Sequence, residues 1–289
     1  MLNYKTQKNI ILAVFLAFPL LLMIMLLVYP TGRLFYMSFT NWDGVMPGMD
    51  YVGMDNYRMV LEDSDAWASL KNNSIYAITG IIQNFFALFL AVILVSSIRG
   101  RNFFRALIFL PYILNSVAVA FMFNFIFEFS RSPLNVILKA VGLAPVDFVG
   151  SASIVNYSLA GVSFWRYMGF TMVIYIAALQ SVPREIYESA DIDGAGGMQT
   201  LRYITLPSIK RVLELNLFLA LSGALNAFVE AFIITKGGPG IASRTFLYSI
   251  VKNAFEGNRF SYAAAMAVIL IIMTLVITGI QKKIVLKEG

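Results

Sequence analysis

The stretch YESADIDGAGGMQTLRYITLPS, residues 187–208, carries Glu188, Asp191 and Asp193, three glycines and a closing proline. The chain around it is mostly apolar. Residues 154–180 before it are interrupted by a single charge, Arg166. Residues 212–235 after it carry only Glu214 near the start and Glu230 near the end. A membrane span needs about 20 mostly apolar residues, and both flanks meet that length. The charged stretch therefore reads as a loop between two membrane helices, and the all-α membrane class follows from that placement.

The remaining spans are found the same way. Residues 9–32, 72–98, 106–127 and 260–281 are free of charge over 24, 27, 22 and 22 residues. With the two flanking runs they make six expected transmembrane helices. Pro19 and Pro111 fall inside the first and third and are expected to kink them, which membrane helices tolerate. The first run is long, and aromatic residues (YPTGRLFYMSF) follow it where a leader would show small ones. It is therefore expected as a span rather than a cleaved leader.

Of 289 residues, 59% are hydrophobic and 13% charged. Soluble domains run at ~45–50% apolar and ~25% charged, so a soluble globular fold is excluded. The absence of cysteine and histidine removes disulfides, thiol nucleophiles, Cys/His zinc sites and His-based triads. No stretch matches the phosphate-binding pattern G-x-x-x-x-G-K-[ST], and no carboxylate pair or nucleophile–base set suggests catalysis. The net charge of +6 reads as loop charge at a bilayer, not as a nucleic-acid surface.

Six spans put both termini on one side. That side holds twelve Lys and Arg residues: Lys5, Lys8, Arg99, Arg101, Arg105, Arg184, Arg202, Lys210, Arg211, Lys282, Lys283 and Lys287. The other holds nine, in longer loops. The positive-inside rule makes the first side cytoplasmic. Residues 187–208 are then cytoplasmic. The outer loops include NWDGV, LEDSDAW, a turn at KGGPG (236–240) and SPLNVILKAVGLAP (132–145). The last reads as a short helix capped by Ser132 with Pro133 in its first turn. Loops of this size suit either a surface that meets something outside or plain connecting structure.

Within the cytoplasmic stretch, Ser181 is expected to cap a helix with Pro183 in its first turn. Glu185 and Glu188 lie near that helix's positive end. Val182, Ile186 and Ala190 at spacing four give one apolar face. The helix should break at GAGG, Gly194 to Gly197, and a second helix, 198–204, should stop at Leu206-Pro207. Such short helices are not stable alone and need a partner surface or their own bundle.

The spacing Glu188-Ser189-Ala190, three residues, Gly194, nine residues, then Ile204-Thr205-Leu206-Pro207 resembles the cytoplasmic signature of permease subunits of binding-protein-dependent ABC importers. Ser189 stands where that pattern has alanine. VPREIYESADIDGAG, ITKGGPG and AFEGNRFSYAAAMAVIL are similar to the carbohydrate-uptake branch (maltose, raffinose, multiple-sugar and glycerol-phosphate permeases). The resemblance runs over about residues 71–283. It divides the chain into a first span with its outer loop (1–70), a transporter transmembrane domain (71–283, with the loop at 181–208) and a tail (284–289).

The resemblance implies a bacterial cytoplasmic-membrane protein that is not itself an enzyme. Its partners would be a second homologous permease, an ATPase dimer holding ATP and Mg²⁺, and an extracytoplasmic sugar-binding protein. Residues Glu188, Ser189, Ala190, Gly194, Ile204, Leu206 and Pro207 would form the coupling helix docked on the ATPase.

Polar side chains inside spans are candidates for the cargo path. Ser163, Tyr167 and Thr171 recur at spacing four in the fourth span, as do Ser222, Asn226 and Glu230 in the fifth, so each trio is expected on one face. Trp165 adds an aromatic platform. On continuous helices Arg166 and Glu230 stand about 21 and about 27 Å above the cytoplasmic ends, close enough for an ion pair; snorkelling of Arg166 to the outer interface and direct sugar contact are the other readings. An ion-coupled carrier would show an internal repeat and acid-rich spans, and neither is evident. A membrane enzyme lacks its catalytic groups.

Overall fold

The computed structural model describes residues 3–96 and 98–285. Lys287, Glu288 and most of the expected tail lie outside the described residues. Among them the elements are helical, and the sole extended pairing is a bridge between Thr40 and Tyr51. Four helices are long and apolar enough to cross a membrane: α1 (Tyr4–Met37), α3 (Ser64–Val95), α7 (Val155–Gln180) and α12 (Phe260–Val285, apolar to Gln281). The bent pair α4 (Arg101–Ile113) and α5 (Ser116–Phe127) makes a fifth if it counts as one span. The chain divides into two compact units, residues 1–63 with 250–271, and 64–249 with 272–289.

The first unit begins with α1, which contains no buried residue. Pro19 lies inside the α-helical part Tyr4–Met23 without ending it; the irregularity is a π-helical turn at Ile24–Val28 instead. After α1 the chain folds on α2 (Asp55–Glu62). The buried Asn56 amide donates to the carbonyls of Ser38 (3.0 Å) and Thr40 (2.7 Å). Gly44 has φ +91° and lies so close to the Phe260 ring that any Cβ would overlap it. Asp43 accepts from the amides of Val45 and Met46, both at 2.9 Å, and these bonds hold its carboxyl below the usual range. Thr40 Oγ1 meets Ser261 Oγ at 2.9 Å, and Tyr262 hydrogen-bonds Asp63. Residues 261–266, SYAAAM, are all buried, Ser261 and the three alanines being small enough for close approach.

In the second unit α7 packs along α3 and crosses α4. Gly169 is the closest point of that crossing: a Cβ there would stand 2.1 Å from the Ile108 carbonyl oxygen. The third expected span is not a helix kinked at Pro111. Pro111 is buried inside α4, and the chain turns by 95° after Ile113. Leu114 and Asn115 are extended, and the Asn115 side chain caps α5 by accepting from Val117 N at 2.9 Å. A cap that starts a new helix axis outweighs a proline that only removes one backbone donor.

The expected fifth span is also broken. Helix α10 (Lys210–Leu225) ends at Asn226, and helix resumes at 229 into a π-helical turn, Ala231–Thr235. The buried carbonyls at the end of α10 are met from α3. Buried Asn73 donates through Nδ2 to Ala224 O (2.6 Å) and Leu225 O (3.2 Å), while its Oδ1 accepts from Phe246 N at 2.8 Å. Phe246 opens α11 (Phe246–Phe255).

The capped helix at Ser132 and the turn at KGGPG form as the sequence indicates. Ser132 Oγ accepts from Asn135 N at the start of α6 (Pro133–Ala140), and Lys236, Gly237 and Gly240 take positive φ around Pro239.

Candidate functional site

A cavity of about 380 Å³ opens in the second unit. Its walls come from α3, α4, α7, α10 and the break in the fifth span. Ser163, Arg166, Tyr167 and Thr171 line it from α7, and Asn226 and Glu230 from the broken segment. The trio on α7 thus shares one face as the spacing predicts. The second trio does not, because the helix ends between its members. Ser222 is not in the wall; its carbonyl accepts from Asn226 Nδ2 at 2.8 Å. Trp165 also points elsewhere, edge-on to Phe123 in the apolar core of the unit.

Arg166 and Glu230 do not form an ion pair. Their expected heights assumed an unbroken fifth span, and the break at 226–228 changes where Glu230 lies. Arg166 sits 5.0 Å from the Tyr167 ring centroid and donates to that residue's hydroxyl at 3.2 Å. Its Nε is buried without a hydrogen-bond partner. Glu230, 7% exposed, accepts from Ser163 Oγ at 3.1 Å.

Three polar wall residues on α3, Tyr76, Thr79 and Gln83, escaped sequence reasoning. Gln83 Nε2 donates to Thr171 Oγ1 at 2.9 Å. Tyr76 is 5% exposed, and its hydroxyl has no hydrogen-bond partner. Tyr76, Thr79 and Gln83 follow the i, i+3, i+7 spacing of one helical face, so a polar stripe within the second span was the signal available. Aromatic rings complete the wall, with Tyr112 stacked on Phe170 at 4.4 Å. Hydroxyl, amide and charged groups facing aromatic surfaces suit a polar, hydroxyl-bearing solute.

The loop 181–208 joins α7 directly to α10, linking two walls of this cavity. Its first leg, α8 (Arg184–Ile192), starts after Pro183; Ser181 instead caps the end of α7 and bonds back to Ala178 O. Gly194 has φ +76°. The amide of Ala195 bonds Ala190 O at 2.9 Å and that of Gly194 bonds Asp191 O at 3.1 Å, the paired pattern of a glycine-terminated helix.

The second leg, α9, covers 197–208: an α turn, a π turn over Leu201–Thr205, and a last turn that passes through Pro207 to Ser208. It therefore runs one residue beyond the proline expected to stop it. Thr205 Oγ1 reaches Tyr187 Oη at 3.4 Å, tying the legs together.

Val182 and Ala190 are buried as the apolar spacing requires, but Ile186 is exposed. Glu188, Ser189, Gly194 and Pro207 are exposed, and Ile204 and Leu206 are half-buried. Ile192, Met198 and Tyr203 stand out at 86, 75 and 69% exposure among Glu185, Glu188, Asp191 and Asp193. No ion pair involving these acids occurs among the described residues.

Residues 83–287 match the family described as binding-protein-dependent transport system inner membrane component. The probable ABC transporter permease YurN of Bacillus subtilis is 33% identical over 96% of both chains. The multiple sugar-binding transport system permease MsmF of Streptococcus mutans is 29% identical over 93% of both. The arabinooligosaccharides transport system permease AraP of Bacillus subtilis is 30% identical over 89% of this chain and 82% of that one. Among solved structures, a bacterial ABC transporter importing the acidic polysaccharide alginate superposes with TM-score 0.84. It is 22% identical over 99% of this chain and 98% of that one. The all-helical fold, the apolar spans and the sequence match agree, and the chain belongs to the inner membrane components of binding-protein-dependent transport systems.

Proposed function

We propose that the chain is the permease subunit of an ATP-driven oligosaccharide importer in a bacterial cytoplasmic membrane. In this reading it crosses the bilayer six times: α1, α3, the α4–α5 pair, α7, the broken α10 segment with 229–235, and α12, with both termini cytoplasmic. The cavity is its share of the cargo path. A second permease would pack beside it, and lipid or that subunit would cover α1, which has no buried residue. An ATPase dimer would hold ATP and Mg²⁺, and a binding protein would deliver cargo from outside. Sugar-transport relatives such as MsmF and AraP support the carbohydrate assignment.

The observation that carries this reading is the exposed two-legged element at 181–208. It presents apolar side chains and unpaired acids together, which a surface in contact only with water does not favour. It also joins α7 and α10, so a push on it is applied to both walls of the cavity. Packed helices switch between discrete arrangements rather than deform continuously, and closure of an ATPase dimer on this element would drive such a switch.

The test uses Gly194→Pro and Glu188→Lys. Proline fixes φ near −65° where Gly194 has +76°, and lysine reverses the charge offered to the ATPase. Both variants should insert normally and lose most cargo-stimulated ATP hydrolysis, about tenfold or more, in the purified complex. Full stimulation in both would remove the coupling role.

A further inference from the structure

We propose that the cavity selects uncharged, hydroxyl-rich cargo and discriminates against anionic saccharides, with Glu230, Arg166 and Tyr76 as the selecting groups. This deepens the importer reading and rests on it.

The cavity wall carries one carboxylate and one guanidinium that do not neutralise each other. Among the described residues Glu230 accepts a single protein hydrogen bond, from Ser163, although a carboxylate can accept about four. Arg166 turns one nitrogen to Tyr167 and leaves Nε without a partner. The Tyr76 hydroxyl, on a side chain more than nine-tenths buried, also has none. Buried polar groups left in this state call for a polar ligand.

A sugar diol answers all three. One hydroxyl donates to Glu230, a neighbouring oxygen accepts from Arg166, and Tyr76 donates or accepts as the ring requires. A uronate gains at Arg166 but brings a second negative charge towards a carboxylate held in a protein wall. At about 6 Å and an effective dielectric constant of about 20, that repulsion weakens binding on the order of a hundredfold. Arg166 is turned to the Tyr167 hydroxyl and ring, so its attraction offsets about half of that repulsion in free energy, leaving about tenfold. A cationic cargo meets the mirror-image penalty.

The test uses the assembled complex with its ATPase subunits in lipid nanodiscs, without binding protein, so that any selection belongs to the membrane subunits. Maltotriose, cellotriose and trigalacturonate are compared by saturation-transfer NMR, on wild type and on Glu230→Gln. The glutamine is isosteric and keeps an oxygen for Ser163. The neutral trisaccharides should bind the wild type at least tenfold more tightly than trigalacturonate, and the variant should narrow the gap to threefold or less.

Equal binding of all three to the wild type overturns the proposal. So does an undiminished gap in Glu230→Gln, or binding of none of them to wild type. In every one of these outcomes, co-purification of the ATPase leaves the importer reading standing, whereas a chain that never associates with an ATPase removes that reading itself.

Discussion

Gly169→Ala is expected to lower the stability of the protein by about 3 kcal/mol or more. The added methyl would lie 2.1 Å from Ile108 O and 2.6 Å from Phe109 Cα. Both are backbone atoms, so no side chain can rotate away, and α4 and α7 must separate along their crossing. Gly161 provides the internal control. It lies on the same helix, and a methyl added there would meet nothing within 4 Å. Gly161→Ala should therefore be neutral or stabilising by up to about 1 kcal/mol. Thermal unfolding in detergent distinguishes the two. The crossing also positions Phe170 and Tyr112, so Gly169→Ala should widen the cavity and weaken cargo binding in whatever protein survives. Equal Tm values for the two variants would show that the crossing is not close-packed at Gly169.

Asn73→Leu is the second large effect. Leucine has the same branching and number of side-chain heavy atoms and suits a membrane helix, so hydrophobicity alone predicts no loss. The variant nevertheless strips the Asn73 partner from the carbonyl of Leu225 and the amide of Phe246, and leaves the Ala224 carbonyl only the bond from Ala227 N at 3.3 Å. Each buried backbone group left unpaired costs about 1–3 kcal/mol, and partial relaxation brings the expected total to about 3 kcal/mol. Asn73→Asp should be at least as damaging. It keeps an acceptor for Phe246 but sets a carboxylate oxygen against two carbonyls. A fall in Tm for both variants, with the break at 226–228 becoming more susceptible to protease, is the expected result. An unchanged Tm in both would mean that the break holds itself.

These two positions also mark where the sequence stopped being readable. Long uncharged runs located the spans because a bilayer admits few other ways to satisfy a backbone. The 181–208 element was legible because its charges, glycines and fixed spacing stand out against an apolar background. The break at 226–228 was not, because the residue that supports it, Asn73, lies some 150 residues earlier in the chain. The heights that made an Arg166–Glu230 pair one of the open readings rested on the same assumption of an unbroken helix. Asn115 determines the bend in the third span, and in sequence it is less conspicuous than Pro111. Tyr76 and Gln83 lie in a charge-free run, where neutral polar side chains leave no interruption to mark the polar stripe. Local pattern thus identified the helices and the charged, glycine-broken element between two of them. Contacts made across the bundle decided which side chains meet in the cavity.

In the proposed importer, energy enters through 181–208 from another chain. The protein has no cysteine, so one engineered thiol reports one position. Met198→Cys lies on the exposed second leg, and Ile137→Cys, 60% exposed on α6, serves as the comparison. With a short bifunctional crosslinker in native membranes, Met198→Cys should join to an ATPase subunit, with a yield that changes when nucleotide is bound. Ile137→Cys should give no such product. An ATPase adduct at 137 and none at 198 would overturn the assignment of 181–208 as the point of energy input.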